Sequence, residues 1–340
     1  MSRKSAEKAL VIGDGGWGTT LAILLARRGT PTVLWSHSPA QCDEWRARRE
    51  NTRFLPGVPL PESLAISADP YSAAEDVTLV ISAVPTQFLR SVAGRFEDAL
   101  PGEVPLVSAT KGLEVETLLS PSQILRDVLG EREICILTGP SHAEEVARGL
   151  PATVVASSSD KELALAVQTA LNGETLRVYT HSDPVGAELA GALKNVIALA
   201  AGISDGLGLG DNAKAALLTR GMMEMARYGV SRGGRLETFF GLAGIGDLVT
   251  TCCSKHSRNR SVGEAIGRGE TLQAVLSRMN MVAEGVWTTK ALFGPEATTE
   301  GVSMPIAEQV HAVLFENKSP RDAVLDLMRR EPSEEMKGLS

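Results

Sequence analysis

The sequence predicts an α/β fold: a doubly wound, mostly parallel sheet followed by an all-helical second domain. Three observations lead to this prediction. Up to about residue 180, short β-branched and apolar runs alternate with helical stretches, a pattern typical of a parallel sheet covered by helices. A glycine-rich turn joins the first strand to the first helix. After Thr180 the strand-like runs stop, and only helical patterns follow.

The predicted strands are short, apolar and rich in β-branched residues. They lie at residues 9–12, 32–35, 78–82, 105–108, 134–137, 153–156 and 176–179. Amphipathic helical segments lie between several of them, for example at 120–129 and 161–171. Ligands of a doubly wound sheet bind at the carboxyl ends of its strands. The residues that follow each strand are therefore the first candidates for a site.

The turn after the first strand carries Gly13, Gly15 and Gly18 at G-x-G-x-x-G spacing, between a predicted strand and a predicted helix. Missing Cβ atoms permit a tight turn and let a pyrophosphate approach backbone N–H groups at the helix N-terminus. This context predicts a dinucleotide site of the Rossmann type. The alternative is a plain structural turn, since glycine loops also serve as turns.

The end of the second strand bears on the choice of cofactor. An NAD-selective fold usually has an acidic residue about 20 residues past the glycine turn, where it binds the ribose hydroxyls. The sequence has no acidic residue between Thr30 and Cys42, and a tip without a carboxylate leaves room for a 2′-phosphate. We therefore expect NADP, or dual use of NADP and NAD. His37 is either a contact of that phosphate or an exposed loop residue.

The second half of the chain begins with a helix-start signal. Asp183 is placed to cap a helix, and Pro184 takes its first position, where proline is favoured. Helical patterns follow at 185–203, 212–228, 258–268, 288–292, 305–315 and 321–330. We therefore expect a dinucleotide-binding domain at 1–182, an all-helical substrate and catalytic domain at 183–331, and a disordered tail at 332–340.

Composition excludes several functional classes. The chain has 340 residues, enough for two domains, and 34 Lys and Arg against 41 Asp and Glu give a formal net charge of −7. This mild acidity argues against a surface that wraps nucleic acid. The N-terminus has no apolar signal region, no uninterrupted apolar run has membrane-spanning length, and the four cysteines lack metal-ligand spacing. We expect a cytoplasmic protein with reduced cysteines and no metal, nucleic-acid partner or membrane insertion.

Lys194 lies in an otherwise nearly apolar helical stretch, 187–201. Its neighbours three and four positions away include Ala190, Gly191 and Ala198, and none is a carboxylate, so its own helix offers no salt-bridge partner. Such surroundings disfavour the charged form of a lysine and can tune it for acid/base chemistry. The alternative is a lysine that extends to water from the rim of the helix.

Lys111 and Ser141 each follow a buried strand, where ligands of this fold bind. Ser141 also fits a capping box with Glu144, so its position is equally that of an ordinary helix start. Both interpretations stay open, since a capped helix N-terminus beside a strand end favours anions in any case.

Two further groups lie downstream. Asp247 and Thr251 have the i, i+4 spacing that places two side chains on one helical face. Ser257 is a predicted N-cap, and Arg258 with the amides of that first turn would form a phosphate clamp. A basic, solvated helix start is the alternative.

With these residues laid out, the chain closely resembles the soluble, bacterial-type NAD(P)-dependent glycerol-3-phosphate dehydrogenases, from Leu10 to about Met328. The resemblance rests on eight motifs that occur in the family's order across both domains. They are Gly13-x-Gly15-x-Trp17-Gly18-Thr19, Asn51-x-x-Phe54-Leu55-Pro56-Gly57, Thr110-Lys111-Gly112, Gly139-Pro140-Ser141, Lys194-Asn195-Val196, Gly246-Asp247-Leu248, Ser257-Arg258-Asn259-Arg260 and Glu284-Gly285.

The resemblance implies reversible reduction of dihydroxyacetone phosphate to sn-glycerol 3-phosphate with NAD(P)H, which supplies the glycerol phosphate backbone of phospholipids. It implies that Lys194 is the general acid/base, with Lys111, Asp247 and Thr251 as further catalytic groups. The implied substrate contacts are Lys111, Gly139, Ser141, Lys194, Asn195, Asp247, Ser257, Arg258 and Asn259. The implied cofactor contacts are Gly13, Gly15, Gly16, Trp17, Gly18, His37, Lys111, Ala143, Arg258, Val282 and Glu284. The glycine- and alanine-rich helices of the second domain also suggest a homodimer.

Three positions depart from the family pattern. Gly16 replaces a frequent polar residue, His142 stands where an apolar aromatic residue is common, and His37 replaces the arginine of many relatives. The last departure puts a strong preference for NADP in doubt. Two other functions stay open: a dehydrogenase for another small hydroxy acid, and a non-catalytic NAD(P) sensor. The predicted proton donor argues against the sensor, which has no use for one.

Overall fold

The computed structural model describes residues 6–279, 281–294, 297, 301–332 and 334–335. Two compact units divide the chain: Met1–Thr110 with Pro121–Pro184, and Lys111–Ser120 with Val185–Ser340. The predicted domain limits, 1–182 and 183–331, stay a prediction, and the compact units differ from them at residues 111–120. This segment belongs to the helical unit because Leu113 is part of that unit's core. Of the predicted disordered tail, residues 333 and 336–340 lie outside the described residues.

The first unit is organised around an eight-stranded sheet. Its strands are β1 Ala9–Ile12, β2 Thr32–Trp35, β3 Leu64–Ser67, β4 Leu79–Ser82, β5 Leu106–Ser108, β6 Ile134–Thr138, β7 Ala152–Ser157 and β8 Leu176–His181. The order across the sheet is β3-β2-β1-β4-β5-β6-β7-β8, and every neighbouring pair is parallel except β6 with β7. The strand order reverses between β1 and β4, at the switch point where doubly wound sheets bind ligands. The predicted fold class is confirmed.

The seven predicted strands are all present, with ends that differ from the prediction by at most two residues. Their apolar side chains are buried on both faces of the sheet. Leu34 of β2 lies in a core shared with Leu21, whereas its neighbour Trp35 contacts Phe96 edge-on with ring centroids 5.0 Å apart. The structure adds β3, whose alternating buried and exposed residues lack the continuous apolar run of a central strand.

Helices follow the strands of the first unit. They are α1 Gly16–Arg27, α2 Pro39–Arg48, α3 Pro70–Ala74, α4 Thr86–Gly94, α5 Pro121–Leu129, α6 Ala143–Ala147 and α7 Lys161–Leu171. Because α1 starts four residues after the last residue of β1 and packs Leu21 and Leu25 into the core beneath the sheet, its N-terminus lies at the carboxyl end of β1.

In the second unit the described secondary structure is helical. It comprises α8 Pro184–Leu207, α9 Gly210–Ser231, α10 Leu236–Phe239, a π-helical turn Leu242–Gly246, α11 Asp247–Cys253, α12 Arg258–Gly267, α13 Leu272–Ser277, α14 Glu284–Leu292, α15 Pro305–Phe315 and α16 Pro320–Met328. The predicted start of α8 at Pro184 is confirmed. Every residue of α8 from Gly186 to Ser204 is buried, so α8 is the central helix of this unit.

Helices α8 and α12 cross in backbone contact. A Cβ atom on Gly202 or on Gly263 would lie 2.0 Å from a carbonyl oxygen of the other helix, and Gly206 and Gly267 repeat the contact one turn further on. Only a residue without Cβ permits this approach. The crossing therefore sets the distance between α8, which carries Lys194, and the start of α12.

Two helical segments are long and apolar enough to cross a membrane by length and composition alone, although no such segment was expected from the sequence: Pro184–Leu207 and Leu236–Cys253. The most apolar 18-residue window of Pro184–Leu207 is entirely buried inside the protein, as in a core helix. All four cysteines are free thiols. Burial raises the pKa of Cys135 and Cys252 to about 12, which keeps these thiols protonated and unreactive.

Candidate active site

Four polar side chains, Lys111, Lys194, Asp247 and Thr251, form a cluster inside the helical unit. The Lys194 Nζ donates to Asp247 Oδ1 at 2.7 Å and to Thr251 Oγ1 at 2.6 Å, while the Lys111 Nζ donates to Asp247 Oδ2 at 2.5 Å. Lys194 is only 6% exposed and Asp247 only 2%. Lys194 therefore does not extend to water, and the expectation of a buried lysine is confirmed.

Each member of the cluster is held by a well-defined element. Lys194 lies in the middle of α8, and Asp247 is the first residue of α11, directly after the π-helical turn. Thr251 follows one turn later, so the predicted shared face of Asp247 and Thr251 is confirmed. A negative charge in the first turn of a helix is favourable, and π-helical turns often occur at functional sites.

Lys111 reaches the cluster because the segment that follows it is fixed at both ends. Leu113 is buried in the helical core, and the Ser120 hydroxyl donates to Glu188 Oε2 at 2.6 Å, with both of these groups buried. The segment is thus anchored to α8, the same helix that carries Lys194. This anchoring holds the Lys111 ammonium group against Asp247.

The charges of the cluster tune its proton affinity. Burial lowers the pKa of Lys194 to about 8, an effect that the Asp247 carboxylate opposes and the Lys111 charge reinforces. Burial alone would raise the pKa of Asp247, but the charges of Lys111 and Lys194 outweigh it and hold that pKa below its usual value. With all three groups ionised, the cluster carries one net positive charge. It can therefore attract an anion and donate a proton near neutral pH.

The start of α12 carries the predicted anion-binding residues. Ser257 is its N-cap, as predicted, and its hydroxyl accepts from the Arg260 backbone N–H at 3.2 Å. Arg258 is the first residue of the helix, and its Nη1 donates to the Val282 carbonyl at 2.8 Å. A guanidinium beside a helix N-terminus is a donor set suited to phosphate. The contact also brings together two residues predicted to touch the cofactor.

The two asparagines predicted to contact the substrate, Asn195 and Asn259, are buried and bond to each other. Asn259 Nδ2 donates to Asn195 Oδ1 at 2.9 Å, and the Gly285 backbone N–H donates to Asn259 Oδ1 at 2.9 Å. This chain of amides joins α8, α12 and the start of α14, where Glu284 is the first residue. It ties the residue after Lys194 to the residue after Arg258.

The glycine turn of the first unit has the shape that a dinucleotide needs. Gly13 has φ +113°, and a Cβ on Gly18 would lie 2.0 Å from the Gly13 carbonyl oxygen, so both positions require glycine. At Gly15 the space that a Cβ would occupy is open, with no atom within 4 Å. Gly15 precedes α1, whose first N–H groups therefore face an accessible cradle. The residues fit a bound pyrophosphate.

Three further predicted cofactor residues belong to this region: Gly16 and Trp17, which lie between Gly15 and Gly18, and Ala143. A Cβ on Gly16 would lie 2.9 Å from the Phe54 carbonyl oxygen and 3.4 Å from the Ala143 Cβ. A glycine avoids this crowding, which any side chain at position 16 would meet. The indole of Trp17 packs against the core beneath the sheet.

The tip of β2, formed by Ser36 and His37 directly after the strand, has a carboxylate beside it that the sequence did not predict. The Ser36 hydroxyl donates to Asp14 Oδ2 at 2.5 Å, and His37 Nδ1 lies 3.7 Å from the same oxygen. The glycine turn itself thus delivers a carboxylate to a strand end that has none in its own sequence. Sequence reasoning missed Asp14 because the rule for this acid counts residues along the chain rather than in space. The signal was an acidic residue at the first x of G-x-G.

The residues after β6 are arranged differently from the prediction. The capping box at Ser141 is wrong: α6 starts one residue later than a Ser141 cap requires, and His142 is its N-cap. The Ser141 hydroxyl instead donates to the Gly139 carbonyl at 2.9 Å. Gly139 and Ser141 belong to the first unit, and the lysine cluster belongs to the second. Among the described residues, no group of His, Cys, Asp and Glu side chains could hold a metal ion.

Comparison with known proteins gives one consistent family. Models of the NAD-dependent glycerol-3-phosphate dehydrogenase N-terminus and C-terminus match residues 8–164 and 183–325. The chain is 49% identical over 332 residues to the glycerol-3-phosphate dehydrogenase (NAD(P)+) of Chlorobium phaeobacteroides, covering 97% of this chain and 99% of the relative. The protein of the same name from Geobacter metallireducens is 50% identical over 334 residues, with 97% and 99% covered. The crystal structure of glycerol-3-phosphate dehydrogenase from Coxiella burnetii has a TM-score of 0.91 at 38% identity and covers 95% of this chain and 99% of that chain.

Proposed function

The chain belongs to the NAD-dependent glycerol-3-phosphate dehydrogenase family, and we propose that Lys194 is its general acid/base. The enzyme reduces dihydroxyacetone phosphate to sn-glycerol 3-phosphate with NAD(P)H, and the reaction is reversible. The observation that carries the proposal is the buried lysine cluster. It combines a proton donor whose pKa is about 8 with a net positive charge.

Lys194 acts on the ketone oxygen of the substrate. When bound, the nicotinamide supplies the hydride that reduces the ketone carbon. As negative charge develops on the oxygen, the Lys194 ammonium donates its proton to it, and the neutral amine is then reprotonated from solvent. Asp247 and Thr251 hold the Lys194 amine in place through their hydrogen bonds. Lys111 adds a second positive charge, which stabilises the developing anion.

We assign substrate binding to the residues that the sequence predicted for it. The phosphate dianion is bound by the α12 start, through Ser257, Arg258 and Asn259, where a capped helix N-terminus and a guanidinium supply N–H donors. Lys111, Lys194, Asn195 and Asp247 serve the ketone end, and Gly139 and Ser141 contribute from the strand end after β6. Because Asn195 and Asn259 bond to each other, their amides also fix the spacing between the two ends of the substrate.

The cofactor is assigned to the glycine turn and its surroundings. The open space at Gly15, before the first N–H groups of α1, supports this assignment. The first unit contributes Gly13, Gly15, Gly16, Trp17, Gly18, His37 and Ala143. The second contributes Lys111, Arg258, Val282 and Glu284, of which Arg258 and Val282 are hydrogen-bonded to each other.

The remaining assignments complete the proposal. Residues 1–182 form the dinucleotide-binding domain and 183–331 the substrate and catalytic domain. The enzyme acts in the cytoplasm as a homodimer, without nucleic acid or membrane insertion, and supplies glycerol phosphate for phospholipid synthesis. The mild net charge of −7 supports the absence of a nucleic-acid partner.

Replacement of Lys194 tests the proposal. We expect Lys194→Ala to retain dinucleotide binding, measured by calorimetry, and to lose about 10²–10⁴-fold in turnover with dihydroxyacetone phosphate, because general acid catalysis supplies that factor. Lys194→Met, an apolar variant of similar length, separates lost chemistry from a packing defect. Lys214→Ala is the matched control, since Lys214 also pairs with an aspartate but lies outside the cluster. Full activity in both Lys194 variants would contradict the role. Cofactor oxidation that does not depend on added ketone would contradict the enzyme assignment itself.

A further inference from the structure

We propose that the Asp14 carboxylate makes this enzyme prefer NAD(H) to NADP(H) by repelling a 2′-phosphate at the tip of β2. The inference rests on the proposed function, which assigns the glycine turn to the dinucleotide. It replaces the expectation of an uncharged tip, which came from the lack of an acidic residue between Thr30 and Cys42. Use of both cofactors is retained, with NADP(H) as the weaker ligand.

The position of Asp14 is fixed at both its backbone and its side chain. Its carbonyl oxygen accepts from Asn51 Nδ2 at 2.8 Å and from the Thr19 hydroxyl at 3.2 Å. Its carboxylate accepts from the Ser36 hydroxyl at 2.5 Å, across 22 residues of sequence. The side chain is 14% exposed, so it is held rather than free in solvent. A ligand that reaches this tip therefore meets the carboxylate in place.

This location is where NAD-selective folds keep their acidic residue. Ser36 directly follows the last residue of β2, and the acid that binds the ribose hydroxyls normally stands at this strand end. A carboxylate accepts hydrogen bonds from a 2′-hydroxyl, whereas it repels the dianionic 2′-phosphate of NADP. Which element supplies the carboxylate does not change this electrostatic effect.

The two polar side chains beside Asp14, Ser36 and His37, do not give the tip of β2 a net positive charge. The one hydroxyl proton of Ser36 is donated to Asp14, so this hydroxyl has no proton left for a phosphate. His37 Nδ1 lies 3.7 Å from Asp14 Oδ2, and a histidine carries charge only when it is protonated. A protonated His37 would cancel the carboxylate and bring the pair to neutrality. The Asp14–His37 pair is therefore negative or neutral, and never the positive site that a 2′-phosphate requires.

Adenine nucleotides without nicotinamide measure this effect independently of turnover. The probes are 5′-AMP and adenosine 2′,5′-bisphosphate, which differ only in the 2′-phosphate, and their affinities are measured by calorimetry on the whole protein. We expect the wild-type protein to bind 5′-AMP more tightly. In Asp14→Asn, which keeps a side-chain acceptor for Ser36, the affinity ratio should shift toward the bisphosphate by about tenfold or more. A shift of this size corresponds to removing one charge at contact distance in a partly hydrated site.

The matched control is Asp43→Asn. It removes the same charge from α2, the helix after β2, but Asp43 is 76% exposed and pairs with Arg46. The affinity ratio should not change in this variant. The ratio of kcat/KM for NADPH to that for NADH should follow the binding ratio in all three proteins. Asp14→Ser, with a shorter uncharged side chain, covers the case in which Asp14→Asn does not fold.

Two results would overturn the inference. One is an unchanged affinity ratio in folded Asp14→Asn or Asp14→Ser, and the other is tighter binding of the bisphosphate than of 5′-AMP by the wild-type protein. Either result leaves the dehydrogenase assignment intact, because ketone-dependent oxidation of NADH or NADPH tests that separately. Failure of both nucleotides to bind would instead contradict the proposed function.

Discussion

Asp247 controls when Lys194 is charged, and Asp247→Asn tests this control. Asp247 lies between two ammonium groups, at 2.7 Å from Lys194 Nζ and 2.5 Å from Lys111 Nζ. Asparagine has nearly the same shape but no charge. The substitution therefore removes the attraction that favours charged Lys194 and leaves the repulsion from Lys111. Loss of this attraction lowers the pKa of Lys194, and the repulsion from Lys111 is no longer opposed.

The size of this shift follows from the geometry. An opposite charge within about 4–6 Å changes a pKa by roughly 1–3 units, and here the two groups are in contact and buried. The pKa of Lys194, about 8 in the wild-type enzyme, should fall by roughly that amount. Reduction needs a protonated Lys194, so kcat for ketone reduction falls as pH rises through this pKa. Oxidation of glycerol 3-phosphate needs the neutral amine, so kcat in that direction rises through the same pKa.

The measurement is the pH dependence of kcat in both directions, followed by the absorbance of the reduced nicotinamide. In Asp247→Asn both limbs should move to lower pH by roughly 1–3 units. Asp205→Asn is the matched control: like Asp247, Asp205 binds two cations, Lys214 and Arg260, and it lies on α8, the helix of Lys194, without contacting Lys194. Thermal unfolding checks that each variant is folded. Unshifted limbs in folded Asp247→Asn would refute this account of how Lys194 is tuned.

Two further predictions concern packing and stability. Gly263→Ala should separate α8 from α12, since its Cβ would lie 2.0 Å from a carbonyl oxygen of α8. We expect a loss of roughly 1–3 kcal/mol in unfolding free energy and a higher KM for dihydroxyacetone phosphate. Gly94→Ala, in α4 with open space around it, is the control, and an unchanged KM in Gly263→Ala would contradict the spacing role. Glu224 is 1% exposed, accepts from the Ile306 and Ala307 N–H groups, and has a pKa raised by burial to about 7. Because the pKa of Glu224 is higher in the folded state, the stabilisation from protonated Glu224 is lost as pH rises from 4.5 to about 7. Urea unfolding of Glu224→Gln should not show this loss of stability. The same pH dependence in the wild type and in Glu224→Gln would contradict the prediction.

Local patterns located most of the strands and the central helix, whereas the short helices α10 and α13 were not among the predicted elements. The short β-branched runs located seven strands, Pro184 located the start of the central helix, and the i, i+4 spacing placed Asp247 and Thr251 on one face. Each of these inferences depends on residues within one element, where chain spacing equals spatial spacing. The weakly apolar edge strand β3 lay outside such rules.

The partners of Lys194 could not be derived in the same way. The sequence shows only that its own helix has no carboxylate nearby. The partner lies 53 residues away, behind two helices and a π-helical turn. Lys111 likewise joins the cluster because the segment 111–120 is packed in the helical core, although it lies between two strands of the sheet in sequence. Such contacts depend on tertiary packing, which no spacing rule encodes.

The tip of β2 shows why a spacing rule for cofactor choice is incomplete. The rule looks for an acid about 20 residues after the glycine turn, because the end of β2 is then next to the ribose. In a parallel pair, however, the end of β1 lies beside the end of β2, as Ile12 lies beside Trp35. A residue two positions after Ile12 can therefore reach the end of β2, where the acid of NAD-selective folds stands. Asp14 takes that position and bonds to Ser36. An acidic residue at the first x of G-x-G is therefore a candidate for the same role as one at the end of the second strand, when its side chain contacts that strand end.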